Sequence, residues 1–184
     1  MNKEEVRKLI KERHREHKDQ LSSFNDQLSE NLADLLSNIN SKKNDHGFCL
    51  GGYSPLSDEP IWWYSLEEKE ILNKIVLVHM HDEIKLTYHS IDPKDLMNKK
   101  LGLQLDITGE EVVPGAILIP GVAFDGSLNR IGRGKGYFDS YLKSYKGIKI
   151  GIFFSYQEIE EVPTEAHDEK LDFIVTNKKI YRRG

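Results

Sequence analysis

The stretch that decides the expected fold runs from Ala116-Ile117-Leu118-Ile119-Pro120-Gly121, through a glycine-rich segment ending at Gly136, to Tyr137–Tyr145 and Ile148–Phe154. Ala116–Ile119 is a compact apolar run of strand length, stopped by Pro120-Gly121. Tyr137–Tyr145 reads as a helix and Ile148–Phe154 as a second strand. Strand, loop, helix and strand in that order predict a parallel crossover. Working outward, Phe48–Tyr53 is a short strand closed by Ser54-Pro55. Leu66–Ile75 reads as a helix. Ile75–Met80 and Ile84–Tyr88 read as strands, with Asp82-Glu83 suited to the hairpin turn. Phe173–Thr176 is a last short strand. In the first forty residues, Val6, Leu9 and Ile10, then Leu21, Phe24, Leu28, Leu32, Leu35 and Ile39, mark one buried helical face. The pattern leaves one helix or two open, with Asp19–Ser23 the place for a break, and Asn40–Asp45 is a loop. The expectation is an α/β fold with three α/β/α layers and a mainly parallel sheet. Residues 1–184 read as a single domain, without repeats or linkers.

Composition narrows the class. The chain has 184 residues, 38% apolar and 30% charged, with 26 basic against 30 acidic side chains and a net charge of −4. A nucleic-acid binder would carry a basic excess, so none is expected. One cysteine, Cys49, excludes an internal disulfide and a cysteine zinc site. Val112–Phe124, the longest uncharged run, is broken by prolines and glycines and falls short of the roughly 20 apolar residues of a membrane span. A cytoplasmic protein with no membrane partner, and a monomer, is expected. His14, His17, His46, His79, His81 and His89 lack a ligand spacing, so no zinc is assigned.

The chemistry sits in Ile119–Asp139. Gly132, Gly134 and Gly136 alternate with Arg133 and Lys135, three positions after Arg130. Glycines let backbone N–H groups approach an anion closely. Three cations in six positions, ahead of a helix start, describe a polyphosphate site. A flexible basic turn is the plainer reading of the same residues. The spacing is neither a dinucleotide fingerprint nor a P-loop. Asp139, early in the helix, could hold Mg²⁺. Lys3 and Arg7, four apart, share a helix face that could clamp phosphates or simply be solvated.

Pro120-Gly121-Val122-Ala123-Phe124-Asp125, with Asn129-Arg130-Ile131-Gly132-Arg133-Gly134-Lys135-Gly136-Tyr137-Phe138-Asp139-Ser140-Tyr141-Leu142, resembles the signature of the 5-formyltetrahydrofolate cyclo-ligase family. Lys3-x-x-x-Arg7, Tyr53-Ser54-Pro55 with Glu59, and Val162–Asp168 with Leu171-Asp172 resemble further pieces of that family in the same order. The resemblance implies ATP as co-substrate, Mg²⁺, and a reduced formyl-folate as substrate. It implies nucleotide contacts from Lys3, Arg7 and the run Arg130, Ile131, Gly132, Arg133, Gly134, Lys135, Gly136, Tyr137 and Phe138. Arg133 and Lys135 would be catalytic. Ser54, Glu59 and Tyr137 would bind the folate, and Asp139 and Asp168 the metal.

Three segments depart from that pattern: Pro60-Ile61-Trp62-Trp63-Tyr64, Leu77-Val78-His79-Met80-His81 and Lys100–Pro114. They fall on the substrate half. A relative that acts on another formylated compound, or a nucleotide-binding module without turnover, is therefore the alternative. Of Trp62 and Trp63, one is expected in the core and the other on the pocket wall, since neighbours face different directions.

Overall fold

The computed structural model describes residues 1–40, 49–66, 75–91, 109–165 and 168–183. Helix α1 spans Lys3–Glu16 and α2 Leu21–Asn40, with a short 3₁₀ turn at Lys18–Gln20 between them. Of the two alternatives the structure has two helices, and the turn between them overlaps the start of the Asp19–Ser23 segment. Asn2 starts α1 with a capping box: its side chain accepts from the Glu4 and Glu5 N–H groups, and Glu5 answers the Asn2 N–H.

Among the described residues nine strands follow: β1 Leu50–Gly52, β2 Ile75–Met80, β3 Leu86–Ser90, β4 Ala116–Pro120, β5 Ala123–Phe124, β6 Arg130–Ile131, β7 Ile148–Ile152, β8 Phe173–Val175 and β9 Ile180–Arg182. Helix α3, the third among the described residues, is Tyr137–Leu142. Seven strands form one sheet in the order β3-β2-β1-β4-β7-β8-β9. The five inner strands are mutually parallel, and β3 and β9 close the two edges antiparallel. From β1 the chain steps outward through β2 and β3. It then returns to β4 on the other side and steps outward again. The switch lies between β1 and β4, and ligands of open α/β sheets bind beyond the strand ends at such a point.

The period of two along β4 builds both cores. Ala116 and Leu118 face α2, joining Leu28, Leu32 and Leu36; Ile117 and Ile119 face α3, joining Phe138 and Leu142. Each fully buried leucine contributes about 1.5–3 kcal/mol of transfer free energy. Helix α1 packs elsewhere. Its Val6 and Ile10 meet Ala123 and Ile131 of the β5–β6 ribbon, with Phe154 and Tyr156.

The sheet reading holds, with three local differences. The strand expected at Ile84–Tyr88 starts at Leu86, because the turn takes more residues and Ile84 adopts a left-handed φ of 53°. The β5–β6 ribbon and β9 have no counterpart in the sequence reading: β5 and β6 are two residues each, and β9 is a partly exposed edge strand without an apolar run. The helix expected over Leu66–Ile75, the Asn40–Asp45 loop and most of Lys100–Pro114 lie outside the described residues. Among the described residues, no helix is long and apolar enough to cross a membrane.

Candidate active site

A cavity of about 300 Å³ opens at the carboxyl ends of β1, β2 and β4. Tyr53, Ser54 and Glu59 line one side, Leu77–Met80 another, and Arg130 and Gly132–Asp139 the third. Every residue expected in the folate set and most of the nucleotide set therefore faces one space. Ile131 is buried in the ribbon, and Lys3 and Arg7 approach from α1.

The glycine loop is held by its neighbours. The β5–β6 turn is tied by Asp125, whose buried carboxylate accepts from the Ser127, Asn129 and Val162 N–H groups. This aligns the ribbon so that Arg130 points inward. Gly134 and Gly136 have φ of +94° and +74°, a region that L side chains resist. At Gly132 a Cβ would stand 2.9 Å from Arg130 Nη1. Glycine there lets the guanidinium lie against the loop.

Three cations play different parts. Arg130 is 4% exposed and donates from Nη2 to Asp139 Oδ1 at 2.5 Å. Burial pulls its pKa below the usual guanidinium range, opposed by Asp139 and then Asp168. Arg133 donates from Nε to Glu59 Oε1 at 2.7 Å and from Nη2 to Asp58 Oδ1 at 2.6 Å. Partial burial lowers its pKa, but the hydrogen bond to Asp58 and the Glu59 charge raise it more. Lys135 is exposed and lines the cavity, with no hydrogen bond or ion pair among the described residues.

Helix α1 closes the same corner. Arg7 Nη2 donates to the Gly132 carbonyl at 3.2 Å. Lys3 pairs with Glu165 at 3.0 Å and Asp168 at 3.3 Å. Burial lowers the Lys3 pKa, but these two carboxylates raise it above the ordinary value.

Among the described residues, no three His, Cys, Asp or Glu side chains are grouped to hold a metal ion. Asp168 is engaged by Lys3 and by the Glu165 N–H. Asp139 Oδ1 accepts from Arg130, and among the described residues Oδ2 makes no hydrogen bond. One open carboxylate oxygen fits Mg²⁺, which keeps waters and takes further ligands from substrate phosphates.

Both tryptophans prove to be core residues, which corrects the expectation that one lines the pocket. Trp62 is wholly buried and Trp63 nearly so, both among the α2-side residues. Trp62 lies against Gly52, and its Nε1 donates to the Tyr53 carbonyl at 3.0 Å. Both rings therefore face the same core. Sequence reasoning assigned no role to Asp58, Tyr53, His79 or Met80. Tyr53 and Met80 sit at the ends of β1 and β2, the place where the topology puts ligands. Asp58 had only its adjacency to Glu59 as a signal. Tyr137 lines the cavity and donates its hydroxyl to the His81 carbonyl at 2.8 Å, which ties α3 to the β2–β3 hairpin.

The sequence model of the 5-formyltetrahydrofolate cyclo-ligase family matches residues 65–177, well over half the chain. The chain belongs to the 5-formyltetrahydrofolate cyclo-ligase family. The mouse 5-formyltetrahydrofolate cyclo-ligase is 33% identical over 109 residues, 53% of this chain and 53% of the mouse protein. A probable 5-formyltetrahydrofolate cyclo-ligase of Schizosaccharomyces pombe is 39% identical over 79 residues, 36% of this chain and 39% of that one. These matches thus span about half the length of the relatives or less. The solution structure of an Aquifex aeolicus 5,10-methenyltetrahydrofolate synthetase superposes with a TM-score of 0.70 at 27% identity, covering 99% of this chain and 93% of that one. A Mycoplasma pneumoniae 5,10-methenyltetrahydrofolate synthetase shares the fold at 20% identity, with a TM-score of 0.74 over 96% of this chain and 99% of the other.

Proposed function

We propose that this family member catalyses the ATP-dependent cyclisation of 5-formyltetrahydrofolate to 5,10-methenyltetrahydrofolate, releasing ADP and phosphate. The observation that carries this reading is the contact across the cavity between Arg133 of the cationic glycine loop and Glu59 of the loop after β1. One wall suits phosphates, the other a ring that offers N–H groups, and the two meet.

The chemistry accounts for the residue types. A formyl oxygen is a poor leaving group. It attacks the γ-phosphorus of ATP; the new O–P bond forms as the bond to ADP breaks, and ADP departs with the electron pair. N10 then attacks the activated formyl carbon, the C–O bond breaks, phosphate leaves, and N10 loses its proton to solvent. The reaction needs no covalent protein nucleophile. Positioning and charge stabilisation are the protein's tasks.

Lys135 and Arg133 stabilise charge on the transferring phosphoryl group. Arg130, buried and fixed by Asp139, holds the loop and its N–H groups in shape. Lys3 and Arg7 close the nucleotide end, beside the backbone of Ile131–Phe138. Glu59 accepts from the reduced pterin, with Ser54 and Tyr137 beside it. Asp139, through Oδ2, would hold Mg²⁺, which would supply charge neutralisation for the phosphates; Asp168 sets the charge of that corner through Lys3. The protein acts as a cytosolic monomer.

The test is methenyl-folate absorbance with 5-formyltetrahydrofolate, with and without ATP and Mg²⁺. Product that appears only with ATP supports the reading, and none under any condition refutes it. A second reading is favoured by His79 and Met80 on the cavity wall, which belong to a segment that departs from the family pattern. Under it, ATP is hydrolysed with another formylated compound and not with the folate.

A further inference from the structure

Among the described residues, four buried side-chain polar atoms lack any hydrogen-bond partner: Arg7 Nε, Tyr53 Oη, Tyr88 Oη and Arg130 Nε. Buried polar groups are nearly always paired, because leaving one unsatisfied forfeits its hydration. Arg7 and Arg130 belong to the loop corner already described. The two phenols separate cleanly. Tyr53 is 2% exposed and lines the cavity. Tyr88 is 1% exposed, belongs to the α3-side core with Ile117 and Leu142, and is not itself part of the cavity lining.

Tyr53 is the first residue after β1, at the switch point of the sheet. Its ring lies beside Trp62, and its carbonyl is held by Trp62 Nε1, so the side chain is fixed by packing and not by its hydroxyl. The charges of Glu59 and Arg133 both bear on that hydroxyl, yet neither is hydrogen-bonded to it. Burial first, and then Glu59, push the phenol well above its ordinary range, so it keeps its proton and remains a donor. Glu59 is 5% exposed at its side chain and, among the described residues, holds Arg133 and the Leu56 N–H. The carboxylate accepts and the neighbouring phenol donates. Together they complement a cyclic amide edge, an N–H beside a carbonyl, which is the edge a reduced pterin presents.

We propose that Tyr53 is a folate-recognition residue whose hydroxyl donates to the pterin carbonyl next to the N–H that Glu59 accepts. This rests on the function proposed above. In the free protein the hydroxyl goes unpaired, and the ligand relieves that cost. The site is preformed at the expense of stability, as binding sites commonly are.

The experiment compares wild type, Tyr53→Phe and Tyr88→Phe. It measures Kd for 5-formyltetrahydrofolate, Kd for a non-hydrolysable ATP analogue, and the thermal midpoint. Tyr53→Phe should weaken folate binding by about three- to tenfold, the range of one neutral hydrogen bond. It should leave the nucleotide Kd unchanged and keep or raise the midpoint, since no partner is lost. Tyr88→Phe should likewise keep or raise the midpoint and leave both affinities unchanged. Equal folate affinity in wild type and Tyr53→Phe overturns the inference while the proposed function stands. A lowered midpoint in Tyr53→Phe also overturns it, because the hydroxyl then has a partner within the protein. A wild-type protein that does not bind the folate removes the proposed function, and this inference with it.

Discussion

Lys135→Ala separates catalysis from folding more cleanly than any other change in the loop. The Lys135 ammonium lines the cavity, is exposed, and makes no ion pair or hydrogen bond among the described residues. Its removal therefore costs the fold little, within about 0.5 kcal/mol as for surface positions generally. If the charge faces the transferring phosphoryl group, its loss should cost about 10²–10³ in rate, the scale of one preorganised electrostatic contact. The effect should fall on kcat more than on ATP affinity, because charge on the phosphoryl oxygens shifts most in the transition state. Initial rates of methenyl absorbance at saturating substrates, beside thermal melts, read both quantities. Arg130 provides the contrast: it is buried and paired, so Arg130→Ala should lose stability as well as rate. A folded Lys135→Ala protein with near-normal kcat refutes the role given to the loop.

Other outcomes follow from the same contacts. Asp139→Asn removes the counter-charge of a buried guanidinium and should destabilise by about 1–3 kcal/mol, less than for a fully buried pair because Asp139 is 38% exposed; unchanged urea midpoints contradict this. Glu59→Gln should raise the folate Kd by about ten- to a hundredfold, the loss of a charged acceptor, while ATP binding stays within a few-fold. Titration calorimetry decides it, and equal loss for both ligands refutes the division of the cavity. Tyr53 and Tyr88 are held well above the ordinary tyrosine value of 10.0 by burial, so the folded state retains protons that the unfolded state releases. Their contribution is complete below that value and is lost as pH rises beyond it. Alkaline unfolding should begin near pH 10, and the double variant Tyr53→Phe, Tyr88→Phe should delay it; no delay counts against the assignment.

The inner sheet was legible because β4 and β2 are apolar runs of strand length between clear punctuation. The glycine loop was legible from the alternation of Gly132, Gly134 and Gly136 with Arg133 and Lys135. Pairing was not. Nothing in the sequence said that Arg133 would reach across to Asp58 and Glu59, or that Asp168 would meet Lys3. Those contacts are set by how the ribbon and α1 dock, through Val6, Ile10 and Ile131. The tryptophans show the limit of a local rule. Alternation along an extended segment puts neighbours on opposite sides, but Trp62 and Trp63 lie in an irregular turn, where both rings rotate into one core with centroids 5.3 Å apart. Tyr53 was visible as a strand-end residue, yet only the packed structure reveals a hydroxyl without a partner.

In the proposed reaction ATP phosphorylates the formyl oxygen, and that oxygen leaves with the phosphate. Supplying 5-formyltetrahydrofolate labelled with ¹⁸O in the formyl group, together with ATP and Mg²⁺, tests that claim at the atom concerned. One ADP should form per methenyl-folate, with the label recovered in inorganic phosphate. Label released into water, or methenyl-folate formed without ADP, contradicts it.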